Sequence, residues 1–99
     1  MARPERLTGD EIATALEGLD GWELVDAKLH RELRFADFSS AFGFMAAAAT
    51  VAEKLNHHPE WSNVYSTVVV DLTTHDAGGI TELDVRLARR MSELAVNTV

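Results

Sequence analysis

The sequence has no cysteine. That removes disulfides, thiolate metal ligands and a cysteine nucleophile together. It is also poor in positive charge, with 9 lysines and arginines against 16 aspartates and glutamates and a formal net charge of -7. Such a surface repels phosphate backbones and anionic headgroups, so neither nucleic acid nor membrane is an expected partner. Long hydrophobic runs are missing too. The longest, Ala41–Ala49, covers 9 residues, whereas a bilayer needs roughly 20. Met1–Asp10 is polar and carries four charges, unlike a secretory leader, so a cytoplasmic location is expected. No serine sits in a G-x-S-x-G elbow, and G-x-G-x-x-G is absent.

What remains is a chain of 99 residues, read as a single domain over 1–99. A chain this short buries about 60–65% of its unfolded surface, and association with copies of itself is one way to bury more.

The first helix is expected over Gly9–Leu19, opened by a capping box of Thr8 and Glu11 with Leu7 and Ile12 as its hydrophobic staple. Trp22–Val25 and Leu29–Phe35 read as strands joined tightly by Asp26–Lys28. Leu29, Leu33 and Phe35 alternate onto one face, but Arg31 interrupts them, which suggests an edge strand or a bulge. The longest helix is expected over Phe38–Leu55 with Asp37 as N-cap. Phe38, Phe42, Met45, Ala49 and Ala52 form one stripe, and Phe44, Ala47 and Val51 another. A helix apolar nearly all round needs cover on more than one side, which predicts a second subunit against it. Asn56–Ser62 reads as a polar loop, Asn63–Thr74 as one strand or two divided at Ser66–Thr67, and Asp76–Gly79 as a turn. The last helix starts at Thr81, with Asp84 as the capping-box acid and Leu83, Leu87, Met91 and Leu94 as its stripe. This order predicts an α+β domain, helices on one face of an antiparallel sheet.

Three of the four histidines fall at structural breaks. His57 and His58 follow the long helix and precede Pro59; His75 ends a strand. Histidine is the side chain best suited to move protons near neutral pH. His30 lies on the polar side of a strand and reads as a surface residue. On spacing alone, proton-transfer catalysis and inert loop histidines are equally good readings. A zinc site is weaker, because H-H-x16-H lacks a helical i,i+4 pair. Nucleophilic catalysis is weaker still. Glu53 lies one turn before His57, and Asp84 lies beyond His75; either carboxylate can fix an imidazole's tautomer. Trp61 offers a flat ring beside the loop, able to stack on a planar ligand.

The stretch A-E-K-L-N-H-H-P-E-W-S-N-V-Y, Ala52 to Tyr65, resembles the signature of the pterin-4a-carbinolamine dehydratases. A second block, L-T-T-H-D-A-G-G-I-T-E-L-D, Leu72 to Asp84, is similar to that family's second signature, and a weaker W-E-L…F-A-D-F pattern extends the likeness. The resemblance implies a four-stranded antiparallel sheet with three helices on one face, in the order α-β-β-α-β-β-α, so that Asn63–Thr74 divides into two strands. It implies homodimers, often paired into homotetramers through helices. It implies loss of water from a 4a-hydroxy-tetrahydropterin to give the quinonoid dihydropterin, which is then reduced for reuse by aromatic amino-acid hydroxylases. The pterin is the substrate; neither a metal nor another cofactor is implied. His57, His58 and His75 are then the catalytic, pterin-contacting trio, with His58 and His75 favoured as the proton-transfer pair. Glu53 and Asp84 are the supporting acids. Pro59, Thr74, Asp76 and Ala77 border the pterin, and Trp61 walls it. Some animal members also serve as dimerisation cofactors of a homeodomain transcription factor, for which nothing in these residues speaks. The alternative is a non-catalytic pterin-binding or protein-interaction module of the same fold.

Overall fold

The computed structural model describes residues 4–96 and residue 98. Its elements run α1 (Gly9–Glu17), β1 (Glu23–Val25), β2 (Lys28–Arg34), α2 (Phe38–Leu55), β3 (Glu60–Val64), β4 (Thr67–Leu72), a 3₁₀ turn (His75–Ala77) and α3 (Glu82–Leu94). The expected α+β order is present. The first three residues of the polar stretch Met1–Asp10 lie outside the described residues.

Each helix begins with a side chain that satisfies backbone N–H groups no helical carbonyl reaches. The Thr8 hydroxyl accepts from the Glu11 N–H at 3.2 Å, and Glu11 Oε1 accepts from the Thr8 N–H at 2.8 Å. Thr81 and Asp84 make the second capping box. At α2, Asp37 Oδ1 accepts from the Ser40 N–H at 2.7 Å, a bond that holds this carboxyl below its usual range.

The sheet has the order β1-β2-β4-β3, and every neighbouring pair is antiparallel. Asp26 and Ala27 link β1 to β2 with both φ angles positive (51° and 62°), the conformation of a type I′ hairpin turn, whose twist matches the strands it joins. The order corrects one expectation: β2 is interior, not an edge strand. It pairs residue for residue with β4 from Leu29↔Leu72 to Arg34↔Thr67, without a bulge. Arg31 does share the inward face, beside Val70. Its guanidinium escapes by bonding Ser92 Oγ of α3 at 3.2 Å, and partial burial pushes its pKa down.

A second correction concerns β3, which begins at Glu60 rather than Asn63. Pro59 ends the loop, and Trp61 and Asn63 then alternate inward beside Val70 and Val68. Asn63 belongs there because its amide donates to the carbonyls of Tyr65 and Thr67, at 3.0 and 2.9 Å, and so closes the hairpin turn.

Leu29 and Leu33 of β2 and Val68, Val70 and Leu72 of β4 form the buried sheet face. Against it lie Ala41, Phe44, Ala48 and Ala52 of α2 and Val85, Leu87, Ala88 and Met91 of α3. Each large aliphatic buried here contributes roughly 1.5–3 kcal/mol. The inward stripe of α2 is therefore mostly alanine. Phe38 and Phe42, which open the first of the two expected stripes, point outward, with Phe42 55% exposed and their ring centroids 5.8 Å apart. Alanine on the inner face allows close approach of helix and sheet, and the large rings are left on the outside. No helix among the described residues is long and apolar enough to cross a membrane.

Candidate active site

The site begins where α2 ends. Asn56 adopts the left-handed conformation (φ 52°, ψ 43°), which asparagine tolerates better than most residues. The Asn56 N–H bonds the Glu53 carbonyl and the His57 N–H the Ala52 carbonyl, at 3.1 and 3.0 Å. This Schellman closure turns the chain sharply, sending His57 inward and His58 outward. The third histidine is held by a separate clasp. Thr74 and Gly79 exchange backbone bonds of 3.0 and 3.3 Å, which pins the 3₁₀ turn between them. A side chain at Gly79 would strike Arg6, whose Cδ lies 2.7 Å from the position of a Cβ.

Each of the three imidazoles meets its own carboxylate through Nε2. His57 bonds Asp84 Oδ1 at 2.5 Å, His58 bonds Glu53 Oε1 at 2.9 Å, and His75 bonds Glu60 Oε2 at 2.9 Å. An ionised carboxylate only accepts hydrogen bonds, so Nε2 carries the proton in each pair and Nδ1 is the nitrogen left for other work.

The pairs differ in surroundings. The side chains of His57 and Asp84 are 7% and 0% exposed, whereas those of His58 and His75 are 59% and 75% exposed. Asp84 is bonded on every side. Its Oδ2 also accepts from Thr74 Oγ1 at 2.8 Å and from the Thr81 N–H at 2.9 Å. Because the Thr74 proton goes to Asp84, the Thr81 hydroxyl donates to Thr74 Oγ1, 2.8 Å away, while accepting from the Leu83 N–H. Among the described residues no buried side-chain nitrogen or oxygen lacks a partner. Asp84 therefore caps α3 and holds His57 at once. Glu60 also accepts from Lys28 Nζ at 2.5 Å. The Lys28 bond first, and the His75 bond second, hold its pKa below the usual glutamate value.

A cavity of about 200 Å³ lies against these residues, lined by Asn56, His57, His58, Thr73, Thr74, His75 and Asp76. The structure thus gathers the three predicted histidines with Thr74 and Asp76. Glu53 and Asp84 touch the site through their histidines. Pro59, Trp61 and Ala77 are not among the residues lining this cavity; Trp61 packs against the core from β3. Asn56, Thr73 and Glu60 are not among the site residues the sequence predicts. Asn56 and Thr73 flank predicted residues, and adjacency was their available signal. His30 lies on the polar sheet face as expected, but it is half-buried and bonded to Asp71 Oδ1 at 2.8 Å rather than free. With three carboxylates serving three rings separately, no group of three or more His, Asp or Glu side chains among the described residues is arranged to hold a metal ion.

Fold and site define a class: a small α+β domain presenting histidine–carboxylate pairs at the end of one helix and the start of another. The sequence pattern of the pterin 4 alpha carbinolamine dehydratase family matches residues 5–94, and the chain belongs to that family. It is 56% identical over 90 residues to a relative from Solibacter usitatus (91% of this chain, 95% of the relative). It is 55% identical over 97 residues to one from Brucella ovis (96% and 99%). Both are named for pterin-4-alpha-carbinolamine dehydratase. A crystal structure of a transcriptional coactivator/pterin dehydratase from Brucella melitensis superposes with a TM-score of 0.90 at 54% identity, covering 92% of this chain and 99% of that one. A pterin dehydratase-like protein described as a RuBisCO assembly factor in the alpha-carboxysome shares the fold at TM-score 0.62 and 21% identity, over 77% of this chain and 88% of that one.

Proposed function

We propose that this chain dehydrates a 4a-hydroxy-tetrahydropterin to the quinonoid dihydropterin and water, by acid–base catalysis without a metal, as a step in tetrahydropterin recycling. The observation that carries this reading is the set of three imidazoles, each locked by its own carboxylate, beside one cavity. In the reaction the C4a–O bond breaks, N5 loses its proton, and the N5=C4a double bond forms. A ring protonated on both nitrogens donates from Nδ1 to the departing hydroxyl. A neutral ring accepts the N5 proton at Nδ1, since Nε2 is engaged. Each such transfer is worth roughly 10²–10⁴-fold. The exposed His58 and His75 suit these roles, and the buried His57 suits shaping the pocket. Family membership and the relatives' names support the same substrate class. The test is the absorbance decay of synthetic 4a-hydroxy-tetrahydropterin with and without the protein. Acceleration by the wild type is expected, and elemental analysis of the active protein is expected to show no stoichiometric metal.

A second reading, a pterin-binding or protein-interaction module, draws on the Brucella melitensis relative's coactivator name and on the outward rings of Phe38 and Phe42. Tight pterin binding without turnover favours it. Those two rings also support association of copies through α2, as a homodimer or homotetramer. Light scattering on a sizing column is expected to give a multiple of the chain mass for the wild type. A Phe38→Glu/Phe42→Glu double variant is expected to run as a monomer; an unchanged mass for that variant would dismiss α2 as the contact.

A further inference from the structure

Glu60 stands at a crossing of two structural systems. It is the first residue of β3, and its Cα partner across the ladder is Asp71 of β4. Its two oxygens are divided between different donors: Oε1 takes Lys28 Nζ at 2.5 Å, and Oε2 takes His75 Nε2 at 2.9 Å. Lys28 belongs to β2, and β4 lies between β2 and β3. The Lys28–Glu60 link therefore straps the outer face of the sheet across an intervening strand. With both oxygens engaged, the carboxylate is held against rotation.

His75 needs such a holder. Its side chain is 75% exposed on a three-residue 3₁₀ turn. Packing orients the buried His57, but little protein surrounds His75. Among the described residues Glu60 is its only side-chain partner. The Glu53 carboxylate that meets His58 is itself 82% exposed and has no second partner among the described residues. Glu60 alone joins an exposed histidine of the site to the sheet.

We propose that Glu60 is a positioning residue: braced by Lys28, it fixes the ring orientation of His75 and keeps its proton on Nε2, so that Nδ1 is the nitrogen offered to substrate. Energetics argue that this is not a stability device. Exposed ion pairs add little to stability, so the loss of Glu60 barely moves the melting point. A catalytic ring left to rotate, or to carry its proton on the other nitrogen, loses alignment at the reacting atoms, and small misplacements there cost up to about 10²-fold in rate. Glutamine separates the two effects. Its amide fits the same space but donates as well as accepts, so it does not specify the tautomer.

This inference rests on the dehydratase reading for its kinetic consequence but not for its structural one, and the experiment keeps them apart. Full-length wild type, Glu60→Gln, Glu60→Asp and Lys28→Met are labelled with ring-¹⁵N histidine, and the tautomer of His75 is read from its nitrogen shifts. The wild type is expected to show the Nε2–H form, and Glu60→Gln a mixture with Nδ1–H. In turnover, Glu60→Gln is expected to lose about tenfold or more in kcat with KM within about twofold. Lys28→Met moves the same way by less, and Glu60→Asp, which keeps the charge, recovers part of the loss. An unchanged His75 tautomer in Glu60→Gln overturns the proposal, and so does a changed tautomer with wild-type kcat. If the wild type itself does not turn over 4a-hydroxy-tetrahydropterin, the dehydratase reading falls, and the tautomer measurement alone decides the link between Glu60 and His75.

Discussion

Asp84→Asn is expected to destabilise the fold by about 3 kcal/mol, the largest loss among conservative substitutions in the site. Asp84 accepts from His57 Nε2, Thr74 Oγ1 and the Thr81 N–H with no exposed side-chain surface. Asparagine supplies one accepting oxygen and one donating nitrogen. If the oxygen stays with Thr74 and Thr81, the nitrogen faces the His57 Nε2–H, donor against donor. His57 must then move its proton to Nδ1 or abandon the bond, and the threonine chain loses a charged acceptor. Hydrogen bonds to charged groups contribute about 1.5–3 kcal/mol, and stranded buried donors add their desolvation. For a chain of this size 1 kcal/mol shifts the thermal midpoint by roughly 4–8 °C, so a drop of about 12–24 °C is expected by calorimetry at neutral pH. A drop below about 4 °C would show that Asp84 does not bind the site to α3.

The complementary result comes from removing the exposed rings. A His58→Ala/His75→Ala double variant is expected to melt near the wild-type temperature and to lose nearly all turnover. Their side chains are 59% and 75% exposed, and each hydrogen-bonds an exposed carboxylate, so little burial or buried bonding is lost. Catalytically the pair supplies both proton transfers, each worth roughly 10²–10⁴-fold. Because the two act in one reaction, their effects do not multiply, and a fall of about 10³–10⁴-fold is expected for the double variant and for the worse single one. Stopped-flow absorbance measures it. Wild-type decay no faster than that of the double variant would remove dehydration as this chain's activity. His57→Ala belongs to the other group: its ring is buried, so its removal should lower stability together with rate.

Much of this was legible in the residues. Both capping boxes were, because Thr-x-x-Glu and Thr-x-x-Asp satisfy local donors whatever surrounds them. The capping role of Asp84 was legible for the same reason, but its bond to His57 was not, because the sequence sets Asp84 beside His75 and 27 positions from His57. The start of β3 was not. Its inward residues, Trp61 and Asn63, are separated by serine and flanked by Glu60 and Pro59, and that composition reads as loop. Glu60 was missed with it, since only the strand register and the placement of Lys28 two strands away bring it to His75. The inward face of α2 was also hidden. Phenylalanine dominates any hydrophobic count, whereas the sheet packs against Ala41, Ala48 and Ala52 around the single ring of Phe44. Arg31 misled for a related reason: its aliphatic stem is at home beside Val70 provided the head reaches Ser92.

The histidine–carboxylate bonds of the site join residues 5, 15 and 27 positions apart. The contacts that tie the N-terminal third to α3 span far more: 70 positions for Trp22 to Ser92 and 61 for Arg31 to Ser92. The entropy of closing a loop grows with its length, by about 0.6 kcal/mol for each doubling. The histidine–carboxylate bonds are therefore closed by shorter loops than the contacts to Ser92. An insertion between β1 and β2 would lengthen the Trp22–Ser92 closure and leave all three histidine–carboxylate loops unchanged. Insertions between Glu53 and Asp84 would lengthen a loop on which proton transfer depends.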